Sequence, residues 1–326
     1  MIYSILQKNS PVTFILYPIF LLGIWASFII EPTITEVYYD VNPMPLYSLL
    51  LSVCSTTIVC SIVLLATILL NAFILSQINN SFRLIEKRTS INIFLFFLLS
   101  GSFLIFKQYN PLHFALLFIL LGIYSLFKIY KNERALQPVF EAGLCIAIAS
   151  LFYANALFFG LFIFVALTVL LPFNWRQWAA GIFGLSTPIL IVFSIFFLRD
   201  SVPDLVETIH YNITVWHRSF TFGYPHYIFI GIISILFLRS LGHLFSGTIR
   251  KISTRKYYTL LLFFIILTTI IFFSVPAANK EIFFFIIPSV SFIISNYLEN
   301  IRSRFWQELL FILIIGSIVL LQVVAK

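Results

Sequence analysis

Residues 257–298 read YYTLLLFFIILTTIIFFSVPAANKEIFFFIIPSVSFIISNYL, and their pattern decides the fold. Two apolar runs, 257–275 and 281–298, flank a turn that carries Pro276 and then Asn279-Lys280-Glu281. A helix crossing the ~30 Å hydrocarbon layer needs about 20 apolar residues, and each run approaches that length. Neither run alternates with the period of 2 that a membrane barrel strand requires, so both are helices. Working outward, hydropathy places further runs at 11–30, 46–76, 91–106, 112–129, 138–153, 156–172, 177–198, 226–246 and 307–324. The expectation is an all-α polytopic transmembrane bundle of about eleven spans, forming a single integral membrane domain over residues 1–326.

Composition agrees. Of 326 residues, 61% are hydrophobic and 10% charged, with a mean hydropathy of +1.04. Soluble domains average about 25% charged residues, and a compact soluble fold could not cover this much apolar surface. A soluble enzyme, a nucleic-acid-binding domain and a disulfide scaffold are excluded on that ground. The net charge of +8 carries topology. With the N-terminus inside and strict alternation, cytoplasmic segments collect Lys8, Arg83, Lys87, Arg88, Lys128, Lys131, Arg134, Arg176, Arg239, Arg250, Lys251, Arg255, Lys256, Arg302 and Arg304. Only Lys107, Arg199, Arg218, Lys280 and Lys326 fall outside. That bias satisfies the positive-inside rule, makes the lipid bilayer the expected partner and removes nucleic acid from consideration. The first run lacks a small-residue cleavage site and reads as a retained anchor.

Several chemistries are excluded or weakened. Cys54, Cys60 and Cys145 lie inside apolar runs; six residues apart, Cys54 and Cys60 fall on different faces of a continuous helix and read as small core residues. The five histidines are scattered, and no phosphate-cradling GxxxxGK[ST] loop occurs. Few ionisable residues lie within spans, unlike ion-coupled transporters. The 138–172 segment reads as a hairpin hinged near Tyr153-Ala154-Asn155, with one long bent helix as the alternative. In 199–225, Leu205, Ile209, Ile213 and Trp216 recur at nearly helical spacing; an interfacial helix fits, as does a re-entrant or covered loop.

Two segments could carry chemistry. The loop after the first span holds Glu31, Glu36 and Asp40 and no basic residue. Such acids could serve as a general base or hold a divalent cation through oxygen ligands; the plainer reading is solvated loop charges. The second is Asn279-Lys280-Glu281, where a cation at the mouth of a span could bind a lipid-linked phosphate; the plainer reading is an interfacial ion pair. Arg199, His217 and Arg218 add anion-binding groups on the same side.

The run Phe140–Tyr153, with Phe173-Asn-Trp-Arg-Gln-Trp178 and Gly184-Leu-Ser-Thr-Pro188, resembles an uncharacterised multipass inner-membrane family of Bacteroidota, catalogued as a domain of unknown function. This resemblance implies a bacterial inner-membrane location and no particular activity. A more distant likeness is to the GT-C superfamily of polyprenyl-phosphate-sugar glycosyltransferases, whose members carry acids in the first extracytoplasmic loop. Many also carry a late outward loop similar to Asn279-Lys280-Glu281-Ile-Phe-Phe284-Phe285-Ile-Ile-Pro288. Here Asn279 stands where those proteins have histidine, phenylalanine replaces their arginine, and loop 1 has no adjacent acidic pair. The GT-C likeness implies a polyprenyl-phosphate sugar donor, with Asp40, Glu36 and Glu31 as catalytic carboxylates. It implies that Lys280, with Glu281, Arg218 and His217, holds the carrier phosphate. The competing expectations are a non-catalytic scaffold or accessory subunit of an envelope assembly system, and a lipid or solute transporter.

Overall fold

The computed structural model describes residues 17–25, 38–54, 57–86, 89–130, 132, 135–216, 223–246 and 251–324. Among them every regular element is helical. The helices are α1 (17–25), α2 (Tyr38–Val41), α3 (Pro45–Val53), α4 (Thr57–Phe82), α5 (Ile91–Ser100), α6 (Leu104–Lys107), α7 (Leu112–Lys128) and α8 (Leu136–Phe152). A 3-10 turn, Ala154–Phe159, leads into α9 (Gly160–Leu170), followed by α10 (Trp175–Leu198), α11 (Val202–Thr214), α12 (Tyr224–Phe245) and α13 (Ile252–Ser274). A second 3-10 turn, Lys280–Ile286, opens α14 (Ile287–Asn300), and α15 (Arg304–Val324) follows.

Among the described residues, six helices are long and apolar enough to cross a membrane: Ile58–Phe82, Trp175–Leu198, Tyr224–Phe245, Ile252–Ser274, Lys280–Asn300 and Arg304–Gln322. Four of the expected eleven spans correspond instead to shorter apolar helices of 10–17 residues. Hydropathy could not separate the two kinds, because a helix buried in protein is as apolar as one bathed in lipid. α5 shows this: all ten of its residues are buried, and at 1.5 Å per residue it is only about 15 Å long. It packs against α14, so these two elements form the centre of the bundle. The run expected as one span over 46–76 is two helices, because the chain leaves helical geometry at Cys54 (φ −82°, ψ 68°).

The 138–172 segment is the expected hairpin. Tyr153 is extended (φ −136°, ψ 107°) and ends α8. Gly181 of α10 lies against both Val139 of α8 and Ile163 of α9, so the two arms run side by side. α8 and α10 cross at glycines: a Cβ at Gly143 would sit 2.7 Å from the Gly181 carbonyl oxygen, and one at Gly184 would strike the Phe140 carbonyl. Close backbone approach through small residues is a main source of helix association in lipid. The 199–225 segment does form a helix, α11, with Leu205 and Asn212 buried, whereas Trp216 lies beyond its end and is exposed.

Long-range hydrogen bonds gather the helix ends into two groups. At one end Tyr258 Oη donates to the Leu84 carbonyl, Tyr257 Oη to that of Phe127, and Gln307 Nε2 to that of Leu298. Arg83, Lys128, Lys256, Arg302 and Arg304 belong to this end. At the other, Lys107 Nζ donates to the Ile24 carbonyl and Gln322 Nε2 to that of Gly101. There too Asn212 Nδ2 donates to the Asn42 carbonyl, and the Ala277 amide to that of Ile213.

Candidate functional site

The second end brings the two chemistry-bearing segments together. Asp40 lies on the one-turn helix α2, just ahead of Pro43 and Pro45. Pro45 opens α3, where a missing amide hydrogen costs nothing. α3 carries Tyr47, whose hydroxyl donates to Asp40 Oδ1 at 3.1 Å. Tyr47 is buried and stacks on Tyr109, centroids 6.1 Å apart; the Tyr109 hydroxyl in turn meets Cys54 Sγ at 3.1 Å.

Tyr39 is the meeting point. It is 2% exposed, and its ring stands edge-on to Tyr47 at 6.2 Å. Burial first, then the nearby Glu281, Tyr47, Asp40 and Tyr153, raise its phenol well above the ordinary tyrosine range. Tyr39 therefore keeps its proton at any physiological pH and stays a neutral phenol near two carboxylates. Glu281, 0% exposed, comes from the second 3-10 turn, which begins where Asn279 Oδ1 accepts the Lys280 amide at 2.8 Å. Lys280 sits half-buried in that same turn. Tyr153, from the hairpin hinge, accepts a hydrogen bond from Asn155 Nδ2 at 3.2 Å and packs on Phe285 at 5.9 Å. Asn155 is 0% exposed, and its Oδ1 has no hydrogen-bond partner among the described residues.

Below this cluster the floor is aromatic. His113 Nε2 lies 2.9 Å from the Phe106 carbonyl, and its ring meets Phe284 at 4.4 Å and Trp25 at 5.8 Å. A groove of about 170 Å³ opens beside it, lined by Phe103, Phe106, Phe229, Ile233, Phe283 and Val290, with Ser102 and Ser234 as its hydroxyls. His226 stacks on Phe103 at 5.7 Å.

Of the residues expected from sequence, Asp40 and Glu281 converge on Tyr39, and Lys280 adjoins Glu281 in the chain. Glu31, Glu36, His217 and Arg218 lie outside the described residues. No group of three or more His, Cys, Asp or Glu side chains among the described residues could hold a metal ion. Tyr39, Tyr47, Asn155 and Lys107 were not anticipated; the Tyr38-Tyr39-Asp40 triplet was the visible signal for the first of them.

Two measurements probe this end. Tyr47→Phe keeps the stack on Tyr109 and deletes the hydroxyl held by Asp40; a loss of about 1 kcal/mol is expected, read as a lowered denaturation midpoint. Lys107 is 2% exposed, donates to the Ile24 carbonyl at 2.7 Å, and burial lowers its amine to about 8. Between pH 8 and the ordinary 10.5 the folded amine is neutral while the unfolded one still binds a proton. Stability attributable to this residue therefore rises with pH across that window. Melting curves of wild type and Lys107→Met are expected to diverge there, the wild type gaining; parallel curves would refute the assignment.

A family model described as "Family of unknown function (DUF6427)" matches residues 44–326. The match includes Tyr47, Asn155, Lys280 and Glu281 and begins just after Asp40. No curated protein and no solved structure matches the chain.

Proposed function

We propose that this chain, which belongs to the DUF6427 family, is a multi-pass membrane glycosyltransferase of the GT-C type, taking a sugar from a polyprenyl-phosphate carrier. The observation that carries the reading is the proximity of the α2 segment and the 280–286 turn at Tyr39, with an apolar groove lined in part by Phe283 and Ile286 of that turn. In this reading the chain crosses a bacterial inner membrane with its N-terminus in the cytoplasm. The Tyr39 end then faces away from the cytoplasm, consistent with its scarcity of basic residues.

The chemistry divides among this chain's own groups. Asp40, held by the Tyr47 hydroxyl, takes the proton from an acceptor hydroxyl as that oxygen attacks the anomeric carbon. Lys280 offsets the charge that develops on the departing polyprenyl phosphate, with Arg218 and His217 as further candidates. Stabilising such charge in a water-poor site is commonly the largest catalytic contribution. Tyr39, a buried neutral phenol, packs between the segments that carry Asp40 and Glu281. Glu36 and Glu31 remain alternative bases or ligands for a divalent cation.

The groove gives the test. Ser234 lines it and is exposed, so Ser234→Trp obstructs the groove without disturbing the packed core. In a deletion strain, this variant is expected to leave lipid-linked sugar unconsumed and its glycan product missing, while wild type restores both. Full restoration by the variant would overturn the lipid-donor reading. A scaffold would tolerate both the groove and the carboxylate substitutions, and a transporter would shift the donor between leaflets without consuming it.

A further inference from the structure

We propose that Cys54 and Cys60 form an oxidisable dithiol that closes into a disulfide across the break between α3 and α4. In an uninterrupted helix, residues six apart point to well-separated faces, since each residue turns about 100°. Here the helix stops at Cys54, which caps α3 with non-helical angles, and Cys60 sits in the first turn of α4. The Cys60 thiol donates to the Cys54 carbonyl oxygen at 3.6 Å, so its sulfur rests against the Cys54 backbone. Both are partly exposed and both are reduced. With the Cys60 sulfur already at the Cys54 residue, rotation of the two side chains toward each other would form the ~2.05 Å bond.

The third observation is Tyr109, whose hydroxyl is 3.1 Å from Cys54 Sγ. That contact places a polar hydroxyl at the Cys54 sulfur. With a small-molecule disulfide as oxidant, the Cys54 thiolate attacks one of its sulfurs and expels one thiolate, leaving a mixed disulfide. The Cys60 thiolate then attacks the Cys54 sulfur and expels the second. The protein loses two electrons and two protons, and the oxidant is reduced to two thiols. The bridge would staple α4 to α3, the helix that carries Tyr47 and through it holds Asp40. This device is independent of any transferase activity.

The test uses the purified full-length chain in detergent, treated with oxidised glutathione or with a reductant, then denatured and labelled with a maleimide polymer. The chain has 3 cysteines: the reduced form is expected to take three labels and the oxidised form one. Peptide mass spectrometry should then show Cys54 joined to Cys60. Cys145→Ser should still lose both remaining labels on oxidation, and Cys54→Ser or Cys60→Ser should lose none to an internal bridge. Retention of all three labels by the folded wild-type chain, capture of glutathione without ring closure, or a bridge that uses Cys145 would each overturn the proposal.

Discussion

A leucine at position 184 is expected to stop α10 from docking on α8. A Cβ there would strike the Phe140 carbonyl oxygen and come within 3.1 Å of its carbon and 3.2 Å of Gly143 Cα. All three are backbone atoms, so no side-chain rotation can relieve the clash. Inserting bulk into a packed contact costs about 1–3 kcal/mol, and the rigid partner puts this case at the upper end. α10 has little to compensate: only 17% of its membrane window is buried. The expected readout is an aggregated or polydisperse profile in detergent, or an apparent melting temperature lower by roughly 5–10 °C. Gly231→Leu in α12 is the matched control, because a Cβ there meets nothing within 4 Å. Equal behaviour of the two variants would show that the glycine crossing is not what seats α10.

Asp40→Asn is expected to be the most damaging substitution for function while leaving the fold intact. The amide oxygen can still accept the Tyr47 hydroxyl, now at 3.1 Å from the carboxylate, so melting behaviour should match wild type. What disappears is the capacity to take a proton, and a positioned general base contributes about 10²–10⁴ in rate. If the proposed transferase reading holds, turnover of a polyprenyl-phosphate sugar by purified protein should fall by that factor, with donor binding preserved. Glu281→Gln supplies the comparison: Glu281 is buried, beside the same Tyr39, and its loss should act through Tyr39 orientation. A smaller effect, not additive with Asp40→Asn, is expected for groups that share one partner. Wild-type turnover by Asp40→Asn would remove the carboxylate from the mechanism and favour a scaffold.

Much of this was legible beforehand, and the misses have identifiable causes. The hairpin at Tyr153 and the amphipathic α11 followed from local signals, a polar hinge and a helical stripe. Asp40 and Glu281 drew attention as acids at the mouths of apolar runs. The break at Cys54 was not marked by any glycine or proline between Leu50 and Ile58, and the short Ser55-Thr56-Thr57 run did not interrupt the apolar stretch read over 46–76. Masked by that continuity, Cys54 and Cys60 looked like residues on unrelated faces. Tyr47 and Tyr109 drew no expectation from the sequence, since nothing local marks a phenol that will stack and hydrogen-bond with residues distant in the chain.

Sequence by itself determined that the chain is helical and membrane-embedded, and that its charges are unevenly distributed along its length. Those properties follow from transfer free energies that add residue by residue within a short window. Only the tertiary structure decided which apolar helices are long enough to cross and which are interior, and that Asp40, Glu281 and Tyr153 all come near one phenol. It alone decided that the Cys60 thiol lies against the Cys54 carbonyl at a helix break. Each of these depends on where separate helices stop and how closely their backbones approach, and that is set by contacts between residues far apart in the chain.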